Sequence, residues 1–362
     1  MAKPLERRRA AGLHKALGLG VLYFATVAGI SSVAGPTAQG ATYLLPPPGV
    51  DVIGEVTSVR ARQEDTLSDI ARRYSLGFQE LILANPGVDP WVPGEGREIR
   101  IPALFVFPNA PREGIVINVP EMRLYYFPKQ KAGETPIVVT YPMSVGRMEW
   151  KTPLGTTKVV KKQVNPTWFP TPAIRAEYLE RGEPLPASVP PGPDNPLGGF
   201  AMRLGIPGYL IHGTDKPYGV GMRVTHGCVR LYPEDIRALF DDVPVGTPVH
   251  IVNQPIKAGW RNGLLHVEVH PPLEEDAEQF NATRTPIVQA IVDASPVANS
   301  DIDWEAAVKL TESASGVPAI VSTSLLDVAA VLRRTQESAQ QTLDTIASDD
   351  SRSQTVVPTH QR

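Results

Sequence analysis

The chain changes its hydrophobic rhythm several times. A basic start with Lys3, Arg7, Arg8, Arg9 and Lys15 leads into an apolar run, Ala16–Ile30, and no charged residue occurs from Ala16 to Val50. Basic, then apolar, then small residues is the pattern of an export signal. Ser32-Val33-Ala34 and Ala38-Gln39-Gly40 each put small residues where a signal peptidase reads. The apolar run is short for a membrane span, so membrane contact is expected only through the export signal. Residues 1–40 are read as signal peptide and 41–50 as a proline-rich linker. From Asp51 to Pro102 the rhythm turns helical. Leu67, Ile70, Ala71 and Tyr74 share one helical face, and Thr66 is placed to cap it with Asp69 three residues on. Gly77 is expected to stop that helix. A second short helix, Phe78–Ala84, should end at Asn85-Pro86. Arg97–Ile101 alternates and then meets Pro102, which predicts a strand. Residues 51–102 therefore read as a small βααβ module, separable from the β-rich chain after it.

From Gly114 to about His270 the period becomes two. Gly114–Val119, Met122–Phe127, Pro136–Tyr141 and Thr247–Val252 are predicted strands. Asn262-Gly263 signals a hairpin between Trp260 and the alternating Leu264–Val269. Short strands separated by turns predict a mainly β domain of sandwich or barrel type over 110–255, with a C-terminal β-hairpin over 256–273. Asn165–Pro196 breaks the pattern with nine prolines. A loop that long in a compact domain is usually functional, and proline lowers the entropy cost of ordering it. It is expected to be an ordered flap beside a site. Residues 274–362 read as an acidic tail, partly helical, with Leu325, Val328, Ala329, Leu332 and Leu343 as one stripe of a helix over Ala319–Ile346 and a disordered Ser/Thr/Gln-rich end.

Composition refines this picture in three ways. With 362 residues and 42% hydrophobic content the chain has material for a large core and a smaller domain. The net charge of -3 gives no global argument for nucleic acid, and none is expected as a partner. The charge is uneven: 14 acidic and 6 basic residues lie from Leu273 onward, which sets the tail apart from the body. Cys228 is the single cysteine, so no intramolecular disulfide can form, and no cysteine near the export signal can carry a lipid.

The candidate chemistry lies in Tyr209–Asp235. This stretch holds His212, His226 and Cys228 amid Gly213, Gly219, Gly221 and Gly227. A thiol attacks as thiolate and needs a base to reach that form near neutral pH. Imidazole can take that proton and return it to a leaving amine. Tyr209-Leu210-Ile211 should deliver His212 at the end of one strand, and Val229 and Leu231 should put Cys228 at the start of another. Gly227 lets the backbone approach closely, and the Gly227 and Cys228 amides could cradle an oxyanion. Arg230 would share a strand face with Cys228 and could hold a substrate carboxylate. Tyr218 and Thr225 are further substrate-binding candidates. A zinc site from His212, His226 and Cys228 would lack a fourth ligand, and no metal or cofactor is expected. A papain-like peptidase is disfavoured because His precedes Cys here.

Two resemblances sharpen these readings. DTLSDIARRYSLGFQELILANPGVDP and the closing IRIP resemble the LysM domain, a binder of N-acetylglucosamine-containing glycans. IHGT, ten residues, then THGCVRL resembles the signature of the L,D-transpeptidase (YkuD) catalytic domain, with Thr225 where Ser is commoner. GIVINVPEMRLYYFP, TPLGTTKVV and NPTWFPTPAIR are similar to the ErfK/YbiS/YcfS/YnhG group of that family. The resemblance covers about Asp51–Leu273. It implies a mainly β domain with Cys228 as nucleophile, in a cleft under a flap, and a periplasmic location. His212 would be proton acceptor and donor, oriented by the Gly213 carbonyl. His226 and Gly227 with Cys228 would shape the oxyanion hole. The implied reaction is acylation of Cys228 by a peptidoglycan tetrapeptide stem, release of D-Ala, and transfer to an amine. That amine would be a second stem, giving a 3→3 crosslink, or an outer-membrane lipoprotein. Water as acceptor would make a carboxypeptidase, and loss of activity would leave a peptidoglycan-binding protein.

Overall fold

The computed structural model describes residues 40–131, 133–281, 283–294 and 302–322. The part of the expected export signal before Gly40 and the expected helical stripe from Leu325 to Leu343 lie outside the described residues. No helix among the described residues is long and apolar enough to cross a membrane.

The first element is β1 (Ala41–Leu44), which falls inside the segment expected to be linker. It pairs antiparallel with a later strand, Ala41 opposite Thr140, and the Gly40 amide donates to the Asp235 carboxylate at 2.8 Å. The alternation of Ala41–Leu44 is hidden by the prolines beside it. Then come β2 (Val52–Arg60), α1 (Leu67–Arg73), α2 (Phe78–Ala84) and β3 (Glu98–Val106). Thr66 caps α1 in a capping box with Asp69, as its spacing predicts. Gly77 does not end α1, whose C-cap is Tyr74. Ser75, at φ 54°, already turns the chain. Gly77 instead stands at the N-cap of α2. Strand β3 runs through Pro102, opposite Val56 in a two-stranded ribbon, where the missing N–H is tolerated on an edge strand.

The large domain contains β4 (Gly114–Asn118), β5 (Arg123–Phe127), β6 (Ile137–Pro142), β7 (Val145–Gly146), β8 (Gly155–Val164), α3 (Pro172–Glu180), β9 (Phe200–Leu204), β10 (Leu210–His212), β11 (Arg223–Thr225), β12 (Val229–Arg230), α4 (Pro233–Asp242) and β13 (Pro248–Val252). Nine strands form one sheet in the order β1-β6-β5-β4-β13-β8-β9-β10-β12, and β7 pairs with β11 beside it. Pairs β4/β13 and β10/β12 are parallel.

Strands β4, β5 and β6 are buried on both faces. Ile115, Ile117, Leu124, Tyr126, Val139 and Tyr141 face a core shared with α4. The alternate residues Val116, Tyr125, Phe127 and Val138 join Leu67, Ile70, Leu76, Phe78 and Leu81 of the βααβ module in a second core. That partition is the strand period of two, and it explains why these strands read as continuous apolar runs. The module is therefore not an independent bead. At its centre Arg123 of β5, fully buried, meets Glu80 of α2 at 2.7 Å, donates to Thr140 Oγ1 at 2.9 Å and to the Ser75 carbonyl at 3.2 Å.

The C-terminal hairpin is β14 (Ile256–Arg261) and β15 (Leu264–Val269), turning at Asn262-Gly263 with both φ positive. Helices α5 (Ala277–Asn281), α6 (Thr285–Ala294) and α7 (Trp304–Ser313) come next, then β16 (Ala319–Ile320). The acidic segment is not the appendage its charge suggests. Its described part packs Ile287, Ile291, Ala307 and Val321 against the hairpin. Ala319–Ile320 is a third strand on β15 rather than the start of a helix. Two residues are too few to register as a period. A buried polar cluster joins this region to the body. Lys257 lies 2.8 Å from both Glu121 and Glu268, and Glu268 accepts from the Val106 amide at 2.6 Å.

Candidate active site

Strand β10 ends at His212, and β12 begins one residue after Cys228. The two strands lie side by side with Ile211 opposite Val229 and His212 opposite Arg230. The sequence puts apolar Ile211 and Val229 in the core, and the polar residues after them emerge at a common strand end. His212 is buried, and its Nδ1 donates to the Gly213 carbonyl at 2.7 Å. With Nδ1 carrying the proton, the Nε2 lone pair is free to act as base. Burial, aided by the Arg230 charge, pulls His212 down to about 3. Burial pushes the Cys228 thiol up to about 11, against the pull of the Leu210 amide and Arg230. The resting pair is therefore neutral thiol and neutral imidazole. The thiol donates to the Gly208 carbonyl at 3.7 Å rather than to His212.

The turn before Cys228 is held by groups that sequence spacing alone does not connect. Thr225 is buried. Its hydroxyl donates to the Cys228 carbonyl at 2.6 Å and accepts from the Gly227 amide at 3.2 Å. Named as a substrate-binding candidate, it staples the turn in this structure. The Gly227 amide is consequently occupied by the Thr225 hydroxyl, whereas the Cys228 amide has no such partner among the described residues. Gly227 has φ +95°, and a Cβ there would meet Tyr209 Cε1 at 2.7 Å, so only glycine fits.

Arg230 is mostly buried, and burial lowers its pKa. Its Nε has no hydrogen-bond partner among the described residues. A buried, unpaired guanidinium nitrogen is costly and is ready for an anionic group. Tyr218 stands at 60% exposure in the short turn Pro217–Gly219, available to a ligand.

The His226 side chain is turned towards the flap. Its Nε2 faces Glu177 Oε2 at 3.2 Å, and its ring packs edge-on to Trp150 at 5.0 Å between centroids. Burial and the charges of Arg147, Arg181 and Arg230 pull its pKa down to about 4, so the ring is neutral, and its Nε2 lies between the Glu177 carboxylate and Arg147 Nη2, 3.4 Å from the latter. Glu177 is not legible in the sequence as a site residue. It lies on α3, inside the proline-rich segment, and also accepts from Trp150 Nε1 at 3.0 Å and pairs with Arg147 and Arg181. The segment is an ordered flap, as expected. Trp168 and Val189 exchange backbone bonds, and buried Asn195 Nδ2 donates to the carbonyls of Pro166, Val189 and Pro190.

Comparison with known proteins gives the chain a family. Residues 112–251 match the L,D-transpeptidase catalytic domain and residues 59–102 the LysM domain. The chain is 43% identical over 82% of its length to the probable L,D-transpeptidase YcfS of Escherichia coli, covering 93% of that protein. It is 41% identical to the probable L,D-transpeptidase YbiS (78% of this chain, 92% of that protein) and 39% to ErfK/SrfK (80% and 93%), both from the same species. Among solved structures, L,D-transpeptidase 3 from Mycobacterium tuberculosis aligns with 44% of this chain and 76% of its own at 18% identity and a TM-score of 0.29, too low to add to the fold already described. The chain belongs to the L,D-transpeptidase family, with a LysM module at its N-terminal side and a peptidoglycan-binding role implied by both domains.

Proposed function

We propose that the protein is a periplasmic L,D-transpeptidase in which Cys228 is the nucleophile and His212 its general base and acid. The observation that carries the reading is one pair of short parallel strands bearing three groups: an imidazole with Nδ1–H fixed on Gly213, Arg230 opposite it with its Nε unpaired among the described residues, and the Cys228 thiol two residues before Arg230. A stem carboxylate seated on Arg230 would orient the donor. His212 Nε2 takes the thiol proton as Sγ attacks the carbonyl carbon between the third and fourth stem residues. The developing oxyanion is met by the Cys228 amide. The tetrahedral species collapses as the imidazolium returns its proton to the amine nitrogen of D-Ala, leaving a thioester. An acceptor amine then adds to the thioester, loses its proton to His212, and expels the Cys228 sulfur. Because thiol and imidazole are both neutral at rest, proton transfer is coupled to attack rather than preceding it. The flap walls and Tyr218 select the acceptor, a stem amine or a lipoprotein lysine.

The test is mass spectrometry of the protein, without its export signal, incubated with disaccharide-tetrapeptide. A Cys228 adduct with D-Ala release, then a 3→3 dimer, is expected, and Cys228→Ala should stay folded and give no adduct. Resolution to free tripeptide alone would assign carboxypeptidase activity. Folded protein that never acylates would leave a glycan-binding protein.

A further inference from the structure

The LysM module touches the catalytic segment at both ends. Upstream, the Phe78 amide donates to the Val220 carbonyl at 3.1 Å and the Gln79 amide to the Gly221 carbonyl at 3.2 Å. Gly77 and Gly221 pass so close that a Cβ on Gly221, itself at φ +86°, would lie 2.4 Å from Gly77 Cα. Ser68 Oγ reaches the Tyr218 carbonyl at 3.4 Å. Downstream, Tyr232 Oη donates to the Leu76 carbonyl at 3.3 Å. Arg72 pairs with both oxygens of Glu234 at 2.6 and 2.7 Å and lies over the Tyr232 ring, 5.4 Å from its centroid. Between these anchors the chain carries Thr225, His226, Gly227, Cys228 and Arg230. The opposite wall adds Ser144, which exchanges backbone bonds with Arg230 and donates its hydroxyl to the Gly219 carbonyl at 2.7 Å.

We infer that the LysM module is a positioning element of the active site: its α1–α2 turn brackets residues 220–234 and sets the placement of Cys228 and Arg230, whether or not glycan is bound. This rests on the proposed acylation of Cys228. It differs from tethering, in which a binding module raises the local concentration of substrate and leaves the cleft unchanged. A misplacement of about 1 Å at reacting atoms costs up to about 100-fold in rate. Anchors at both ends of a fifteen-residue segment, backbone bonds upstream and side-chain bonds downstream, are a means of preventing it.

The test uses the full chain and a donor without glycan, the free tetrapeptide, to which a sugar-binding module contributes nothing by binding. Arg72→Gln/Tyr232→Phe removes both downstream side-chain anchors with conservative replacements. Gly221→Ala breaks the upstream approach. The expected result is full final adduct stoichiometry, reached about five- to tenfold more slowly in the double variant and about 10- to 100-fold more slowly in Gly221→Ala. Sacculus binding should be unchanged, and melting should stay above the assay temperature. A folded double variant that acylates at the wild-type rate overturns the inference; it decides alone if Gly221→Ala does not fold. Iodoacetamide alkylation of Cys228, which needs no transpeptidase chemistry, is measured in parallel. If wild-type protein is not acylated, the functional reading fails, and equal alkylation rates across the variants then overturn the bracket as well.

Discussion

Thr225 works in both directions: its hydroxyl donates a hydrogen bond to the Cys228 carbonyl and accepts one from the Gly227 amide. Thr225→Ser preserves both bonds and is expected to acylate within about twofold of wild type. Thr225→Val is nearly isosteric, yet it leaves the buried Gly227 amide unpaired, at a cost of about 1–3 kcal/mol, and removes the bond to the part-buried Cys228 carbonyl. It should lower the acylation rate at least tenfold and the melting temperature measurably. Equal rates for the Ser and Val variants would show that the hydroxyl is idle. His212, Gly213, Gly227 and Cys228 are legible in the sequence because residue type alone limits what they can do. The roles of Thr225 and His226 are not, since each depends on where a turn at φ +95° points its side chain.

At the scale of elements, β4, β5, β6 and β13 are legible from their apolar residues, and the hairpin at Asn262-Gly263 because its turn chemistry is specific, whereas the largely exposed β8 offers no such run. The partner of each strand is not legible, since pairings such as β8 with β13 join segments far apart in sequence. The flap is visible as a proline-rich interruption, but its latch is not. Glu177 is one carboxylate on an otherwise unremarked helix, and only folding brings Arg147, Trp150 and His226 to it. Glu177→Ala should free the flap from the nucleophile turn. Hydrogen exchange over residues 165–196 is expected to rise, and the Michaelis constant for the donor should increase several-fold. Unchanged exchange would mean that the Asn195 bonds at the flap base suffice.

For the whole molecule, the sequence suggests a chain of beads and the structure joins them. Excising residues 51–107 would uncover Val116, Tyr125, Phe127 and Val138, each worth about 1.5–3 kcal/mol when buried. It would also strand the fully buried Arg123 without Glu80, and losing one partner of such a pair costs about 3–5 kcal/mol. The excised protein is expected to lose cooperative melting and acylation together with sacculus binding. A stable, active catalytic remnant would refute the shared core. The sequence hides this dependence because a sheet face covered by another domain has the same composition as one covered by its own helices.

The double-sided sheet also bears on how such a chain could be reassembled by recombination. A cassette exchange at the boundary before β4 would carry a foreign LysM surface onto Val116, Tyr125, Phe127 and Val138, and a foreign residue opposite Arg123. A chimera made there keeps its fold only if the donor supplies a carboxylate at the Glu80 position and side chains complementary to that rear face. The segment that must be exchanged as one therefore includes both sides of that boundary, from β1 to β13.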